Sequence, residues 1–401
     1  MGLLRLILAI TVIIAHSNAA FGLKFTGGLI AVEVFFIISG FYMSMILDRK
    51  YTGKGSYTLF LSNRVLRLYP LFWVVLLLTI FVSIILYSFL GDWSGLSSYI
   101  WSGLSSYIEY FDVMSMRTIL FQIFVNIALF GQDIVLFLGF NPETGEMYFT
   151  HDFRTSSPMF YTFLLVPQAW SLGIEVMFYL IAPFLVRKSN LVIISIISLS
   201  LLIRIFTYSI GYTNDPWTYR FFPSELSLFL LGTVSYRLYD RYKIHKYKIL
   251  NFNPTPVVLL SFFTIIIFYQ FIPKSFWFVG FGYVNKWLFY VFVCLSIPFI
   301  FDFTKSSKID SRIGELSYPV YISHTLVIAS ISPFFSPAYW HKYQGEWTVI
   351  FTILLSYILV RLISDPIEKI RQSRVQGWEF GKVEKSTLPF LRNKTGYRCG
   401  G

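Results

Sequence analysis

Apolar stretches near 20 residues recur along almost the whole chain, at 3–22, 27–47, 68–90, 167–186, 190–208, 222–236, 256–273, 280–301, 316–335 and 347–364. Each is close to the length that crosses a ~30 Å hydrocarbon core as a helix. Charge is correspondingly scarce. Only 13% of the 401 residues are charged and 55% are apolar, where a soluble domain carries roughly 25% charged residues. The 43 Phe, 27 Tyr and 10 Trp suit lipid-facing helices with aromatic residues at the interfaces. The pattern predicts an all-α polytopic membrane helix bundle with ten crossings and excludes a soluble globular domain.

An eleventh apolar stretch, 118–139, is resolved by charge. The loops 48–67 and 237–249 carry five Lys/Arg each, and 302–315 and the tail are also basic. Such short basic loops belong in the cytoplasm. The stretches 91–117 and 140–166 hold one basic residue each, Arg117 and Arg154, which places both outside. Residues 118–139 are therefore expected to form a re-entrant or interfacial helix, protected by protein where its backbone breaks. Both termini then lie in the cytoplasm.

The net charge of +12 is concentrated in those loops, which argues for membrane topology and against nucleic acid as a partner. Cys294 and Cys399 make neither a disulfide framework nor a zinc cluster. No pair of histidines has ligand spacing, so no metal is expected. A signal peptide ending near Ala19-Ala20 is an alternative reading of the start, but cleavage there would discard Arg5 and His16. Residues 93–108 duplicate one eight-residue unit, read as a tolerated insertion in an outer loop. The organisation expected is one transmembrane domain, 1–375, and a polar cytoplasmic tail, 376–401, disordered over its last 19 residues.

Ionisable residues inside spans are costly and therefore informative. They are Arg5 and His16 in the first span, Glu33 in the second, Glu175, Arg204 and Glu225 in the fourth to sixth, His324 in the ninth and Arg361 in the tenth. His16 lies eleven positions after Arg5. At 100° each, that is about 20° beyond three turns, with ~16 Å of rise. The two side chains therefore share a face at different depths, Arg5 at the cytoplasmic mouth and His16 deeper in the bilayer. One bound molecule could meet Arg5 with its anionic end and His16 with its reactive end. A structural histidine and a snorkelling arginine would show the same spacing.

The motifs resemble the acyltransferase-3 family of bacterial membrane O-acyltransferases. Arg5 and His16 reproduce its arginine, ten residues, histidine signature. Val32-Glu33-Val34-Phe35-Phe36-Ile37-Ile38-Ser39-Gly40-Phe41 is similar to its second block, and Arg64-Val65-Leu66-Arg67-Leu68-Tyr69-Pro70 to its Arg-x-x-Arg-Leu-x-Pro motif. Trp170-Ser171-Leu172-Gly173-Ile174-Glu175-Val176-Met177-Phe178-Tyr179 and Gly314-Glu315-Leu316-Ser317-Tyr318-Pro319-Val320-Tyr321-Ile322-Ser323-His324 follow in family order. The terminal acidic-Pro signal is loose, as Asp365-Pro366. Many relatives carry a C-terminal SGNH-hydrolase domain. This chain stops before one, and so resembles the stand-alone subgroup acting on surface polysaccharides or their lipid-linked precursors.

The resemblance implies an acyl-CoA donor, commonly acetyl-CoA, on the cytoplasmic side of a bacterial inner membrane, and a carbohydrate acceptor outside. Acyl-CoA is a co-substrate; no permanently bound cofactor is expected. Coenzyme A presents phosphates, for which Arg is suited, so Arg5, Arg64 and Arg67 are candidate donor-binding residues. For Arg64 and Arg67 the alternative is a purely topological role. Acyl transfer needs a base for the acceptor hydroxyl, usually His near neutral pH, and His16 is the candidate, as base or as acyl relay. Glu33 is its candidate orienting carboxylate, or a packing partner of Arg5 or Arg204. Glu175 and Tyr179, at i and i+4, could line the acceptor side or bond between helices. Tyr318 and His324 are further candidate substrate contacts, His324 with a structural alternative. Ser39-Gly40 reads as a close helix contact or bend rather than a nucleophile. A transporter or flippase of a glycolipid or acyl donor is the competing function, although no half-to-half repeat is evident.

Overall fold

The computed structural model describes residues 1–90, 101–242, 254–273, 275–278, 281–335 and 342–392. Its helices are α1 (Gly2–His16), α2 (Gly28–Arg49), α3 (Ser56–Leu90), α4 (Trp101–Tyr110), α5 (Met116–Ala128), α6 (Trp170–Leu185), α7 (Asn190–Ser209), α8 (Phe222–Tyr242), α9 (Thr255–Phe268), α10 (Val284–Thr304), α11 (Lys308–Glu315), α12 (Ser317–Ile331), α13 (Gln344–Leu359) and α14 (Asp365–Arg392). Among the described residues, six helices are long and apolar enough to cross a membrane, and α1, α5 and α9 with its short extension are shorter apolar helices. The protein is a multi-pass membrane helix bundle. Two antiparallel hairpins, Leu138–Asn141 with Glu146–Phe149 and Trp277–Phe278 with Gly282–Tyr283, are the sheet structure described.

Two glycines set the tightest crossing. A Cβ on Gly40 of α2 would fall 1.8 Å from the Phe229 carbonyl oxygen of α8, and one on Gly232 would fall 2.0 Å from that of Ile37. The backbones touch there as small residues allow in membranes, and Ser44 Oγ donates to Thr233 Oγ1 at 2.9 Å beside them. The close-contact reading of Gly40 is correct.

Several boundaries differ from expectation. The first apolar stretch, expected over 3–22, stays helical only to His16, after which the Ser17 hydroxyl donates to the Ile13 carbonyl at 2.9 Å. His16 therefore sits at a helix end and is exposed, not deep within a span. The N-terminal end of α1 is capped by Asp310, which accepts from the Gly2 and Leu3 amides at 2.6 and 2.9 Å, a carboxylate at the positive end of a helix. The third helix starts at Ser56, so the Arg64–Pro70 motif is helical rather than part of a loop.

The stretch 118–139 is a 13-residue helix, α5, followed by a break at Leu129, whose φ is 58°. Its carbonyls are met by protein: Tyr69 donates to Ala128, Trp73 Nε1 to Ile127 at 2.9 Å, and Gln132 Nε2 to Val125 at 3.1 Å. Thr118, Gln122, Val125 and Asn126 are buried while Leu120, Ile123, Phe124 and Ile127 face outward. At 1.5 Å per residue such a helix is too short to cross, in line with an interfacial segment. The second copy of the duplicated unit enters α4, where Ser106 and Tyr107 bond to Thr162 and Asn126; the first copy, 93–100, lies outside the described residues. A reporter fused after Gly55 is expected to face the cytoplasm and one after Thr150 the outside. A cytoplasmic reading at Thr150 would turn residues 116–139 into a crossing and overturn the ten-span arrangement.

The tail also departs from expectation. A π-turn, Val360–Ser364, leads into α14, which runs unbroken across 376 to Arg392; residues 393–401 of the expected disordered segment lie outside the described residues. Arg371 Nε donates to the Asn63 carbonyl at 3.0 Å, Arg374 to Ser62 Oγ at 2.8 Å, and the Trp378 indole packs on Gly55. Arg312 of α11 grips Asp365 with two bonds of 2.8 and 2.7 Å and holds that carboxyl below its ordinary range. Arg361, expected within a span, is exposed beside the same carboxylate at 3.6 Å.

Candidate active site

A cavity of about 260 Å³ opens between α1, α2, α3, α6 and α12. Arg5, Arg64 and Arg67 line it from α1 and α3, Ser39 and Tyr42 from α2, Glu175 and Tyr179 from α6, and Tyr318 and Tyr321 from α12. Arg64 is 6% exposed and its Nε has no hydrogen-bond partner; its guanidinium lies 5.6 and 5.9 Å from the Phe60 and Tyr179 rings. Among the described residues no carboxylate pairs with Arg5, Arg64 or Arg67. A buried cation without a paired carboxylate is costly, and Arg64 is held in that state.

Glu175 holds the middle. One oxygen accepts from Ser39 Oγ at 2.6 Å and from Tyr179 at 2.5 Å. The Tyr318 hydroxyl donates to the Leu68 carbonyl at 2.6 Å. Tyr321 bonds Ser171 at 2.6 Å and donates to the Gln168 carbonyl at 2.9 Å. Glu175 and Tyr179 thus share the cavity of the three arginines. The Ser39 bond joins α2 to α6, the bonding between helices that was the alternative for Glu175.

Beyond Tyr321 lies the histidine pair. His324 Nδ1 is 2.6 Å from the Tyr321 carbonyl and its Nε2 is 3.3 Å from His16 Nδ1, which is itself 2.9 Å from the Val12 carbonyl. A carbonyl only accepts, so both Nδ1 atoms carry the proton. The neutral His324 then offers an Nε2 lone pair to the His16 N–H, and Nε2 is the basic nitrogen of His16. The rings are 5.0 Å apart and tilted by 36°.

A family model described as an acyltransferase domain matches residues 1–366. The chain belongs to the acyltransferase-3 family. Two proteins of Staphylococcus aureus, strains COL and MSSA476, each named "Putative O-acetyltransferase", are 24% identical over 388 residues. Those matches cover 91% of this chain but 56% of each relative, so the chain spans little more than half their length. An "Uncharacterized protein" of Aquifex aeolicus is 27% identical over 226 residues, covering 51% of this chain and 89% of that protein. No solved structure matches. In this acyltransferase-3 chain, residues from all five motif blocks meet around one cavity and the histidine pair above it.

One motif residue goes elsewhere. Glu33, expected to orient His16, is fully buried with its carboxylate held by Lys286 Nζ at 3.2 Å and by the Tyr290 hydroxyl, both on α10. The ring that meets His16 is His324. The reason is helix rotation: Glu33 lies on the face of α2 turned to α10, while Val32, Phe35, Ser39 and Tyr42 turn to the cavity. Lys286 was missed although a lone lysine in the stretch 280–301 needs a carboxylate. Arg204, the other partner considered, pairs with Glu225 at 2.5 Å, with 2% and 0% of the two side chains exposed. Arg220 was also missed. It bonds Asp215 at 2.8 Å and lies 4.2 Å from the Trp170 ring, at the end of α6 from which that motif begins.

Proposed function

We propose that this chain is a membrane O-acyltransferase that takes an acyl group, acetyl in the first instance, from cytoplasmic acyl-CoA to a hydroxyl of a surface polysaccharide or its lipid-linked precursor. The observation carrying this reading is a single run of side chains gathered from α1, α2, α3, α6 and α12. It leads from arginines without a carboxylate partner, past Glu175 and Ser39, to Tyr321, whose helix carries the His324 that meets His16. The arginines would hold the donor's phosphates, and the apolar wall formed by Val32, Phe35, Phe36 and Leu172 its thioester arm.

The acceptor hydroxyl gives its proton to His16 Nε2 as its oxygen attacks the thioester carbonyl. The C–O bond forms, the C–S bond breaks, and the proton can pass to the departing sulfur. His16 then carries positive charge for part of the cycle. Its Nδ1–H is shared between the Val12 carbonyl at 2.9 Å and the His324 Nε2 lone pair at 3.3 Å, two acceptors that would steady the imidazolium as a carboxylate does in a hydrolase triad. Exposure of His16 beyond the cavity would let a bulky carbohydrate reach it from the far side.

The test supplies membranes containing the protein with labelled acetyl-CoA and follows label into carbohydrate. Transfer that depends on the protein supports the reading. Movement of unmodified glycolipid across the membrane without transfer of label would favour a transporter instead.

A further inference from the structure

The cavity does not end at Arg64 and Arg67. Two further cavities lie beyond, one reaching Arg67 and the other both arginines, and their charges differ. One, of about 230 Å³, brings Arg5, Arg67 and Arg371 together with Glu315, Asp365 and Glu368. Three carboxylates stand beside three arginines there, Glu315 and Asp365 held by Arg312 and Glu368 by Arg371, so the lining has no net charge and offers a polyanion little. The other is larger, about 470 Å³, and gathers Lys50, Arg64, Arg67 and Arg371 against Glu368 alone. Among the described residues Lys50, Arg64 and Arg67 have no carboxylate partner. Arg64 faces both this cavity and the one containing Glu175, with its unpartnered Nε almost wholly buried.

Resting on the acyl-CoA reading, we propose that the cavity of Lys50, Arg64, Arg67 and Arg371 binds the phosphorylated nucleotide end of the donor, with α14 as one of its walls. An adenosine carrying a diphosphate and a 3′-phosphate is the chemistry that matches four clustered cations. The thioester arm then passes Arg64 into the narrower cavity toward Tyr321. The segment after residue 364 is thereby part of the donor site, and Arg371 and Lys50 are binding residues that no motif block contains. Arg371 is set in place by Glu368 and by the carbonyl of Asn63, the residue before Arg64 of the same wall. Lys50 is exposed at the end of α2, so its replacement tests charge without disturbing packing.

Binding to the full-length protein in detergent distinguishes the outcomes, with three probes: acetyl-CoA, S-acetyl-pantetheine and adenosine 3′,5′-bisphosphate. Lys50→Glu and Arg371→Gln should each weaken acetyl-CoA about tenfold or more, as expected for loss of a charge-assisted contact. The bisphosphate should weaken in parallel, and S-acetyl-pantetheine should be unaffected. Unchanged acetyl-CoA affinity in Lys50→Glu would overturn the nucleotide site and leave the acyltransferase reading standing. Equal weakening of all three probes in Arg371→Gln, with Lys50→Glu silent, would show that Arg371 only docks α14. Bisphosphate binding that depends on Lys50, in a protein that transfers no acetyl group, would keep the site and sink the acyltransferase reading.

Discussion

His16→Gln is expected to lower acyl transfer by about 10²-fold or more while acetyl-CoA affinity and the amount of protein in the membrane stay near wild type. Gln keeps much of the volume and can still donate to the Val12 carbonyl, but it has no basic nitrogen. The site favours a clean reading, because His16 is exposed at the end of α1 and such positions usually tolerate substitution within about 0.5 kcal/mol. His324→Gln should be milder. It removes the lone pair that receives the His16 N–H but not the base itself. Transfer by His16→Gln above about a tenth of wild type, against the loss expected of a missing base, would end the catalytic assignment and direct attention to Glu175.

The largest effect on folding is expected at the other buried charges. Glu225→Ala leaves the Arg204 guanidinium buried against Trp287, 5.4 Å from its ring, with the Thr218 carbonyl at 2.7 Å as its remaining bond. Removing one partner of a buried pair costs about 3–5 kcal/mol. Resistance to denaturant in detergent should fall accordingly. The pair Arg204→Met with Glu225→Leu should recover most of it, since apolar replacement of both partners is often neutral. A loss below about 1 kcal/mol from Glu225→Ala would mean that the pair is solvated in the membrane-embedded protein, because a solvated pair contributes little.

What could be read from residues alone divides along a physical line. The apolar stretches, the broken helix at 118–139 and the grouping of Arg5, Arg64 and Arg67 were all legible, because each depends on local composition, charge or helical period. Glu33 was not. Its depth in α2 follows from the sequence, but its partner depends on how α2 is rotated against α10, and the Gly40–Gly232 crossing fixes that rotation from a helix on which no motif falls. The same holds for Glu175: periodicity puts it and Tyr179 on one face, but which cavity that face meets depends on packing. Arg371 was beyond reach because α14 reads as a solvated polar tail until its contacts with Asn63, Ser62 and Gly55 are seen.

The shortness of α1 has a consequence for how chains of this kind can vary in length. Arg5 and His16 stand on one uninterrupted helix, each committed to a neighbour that cannot follow it: the cavity wall at one end, His324 on α12 at the other. A single residue gained or lost between positions 6 and 15 would turn one of them by about 100° relative to the other and shift it by about 1.5 Å. Residues 17–27 carry no such constraint, since they leave the helix just past His16 and return at Gly27 with a φ of 79°. Insertions and deletions should therefore be absent from the first segment and tolerated in the second, a boundary one residue wide.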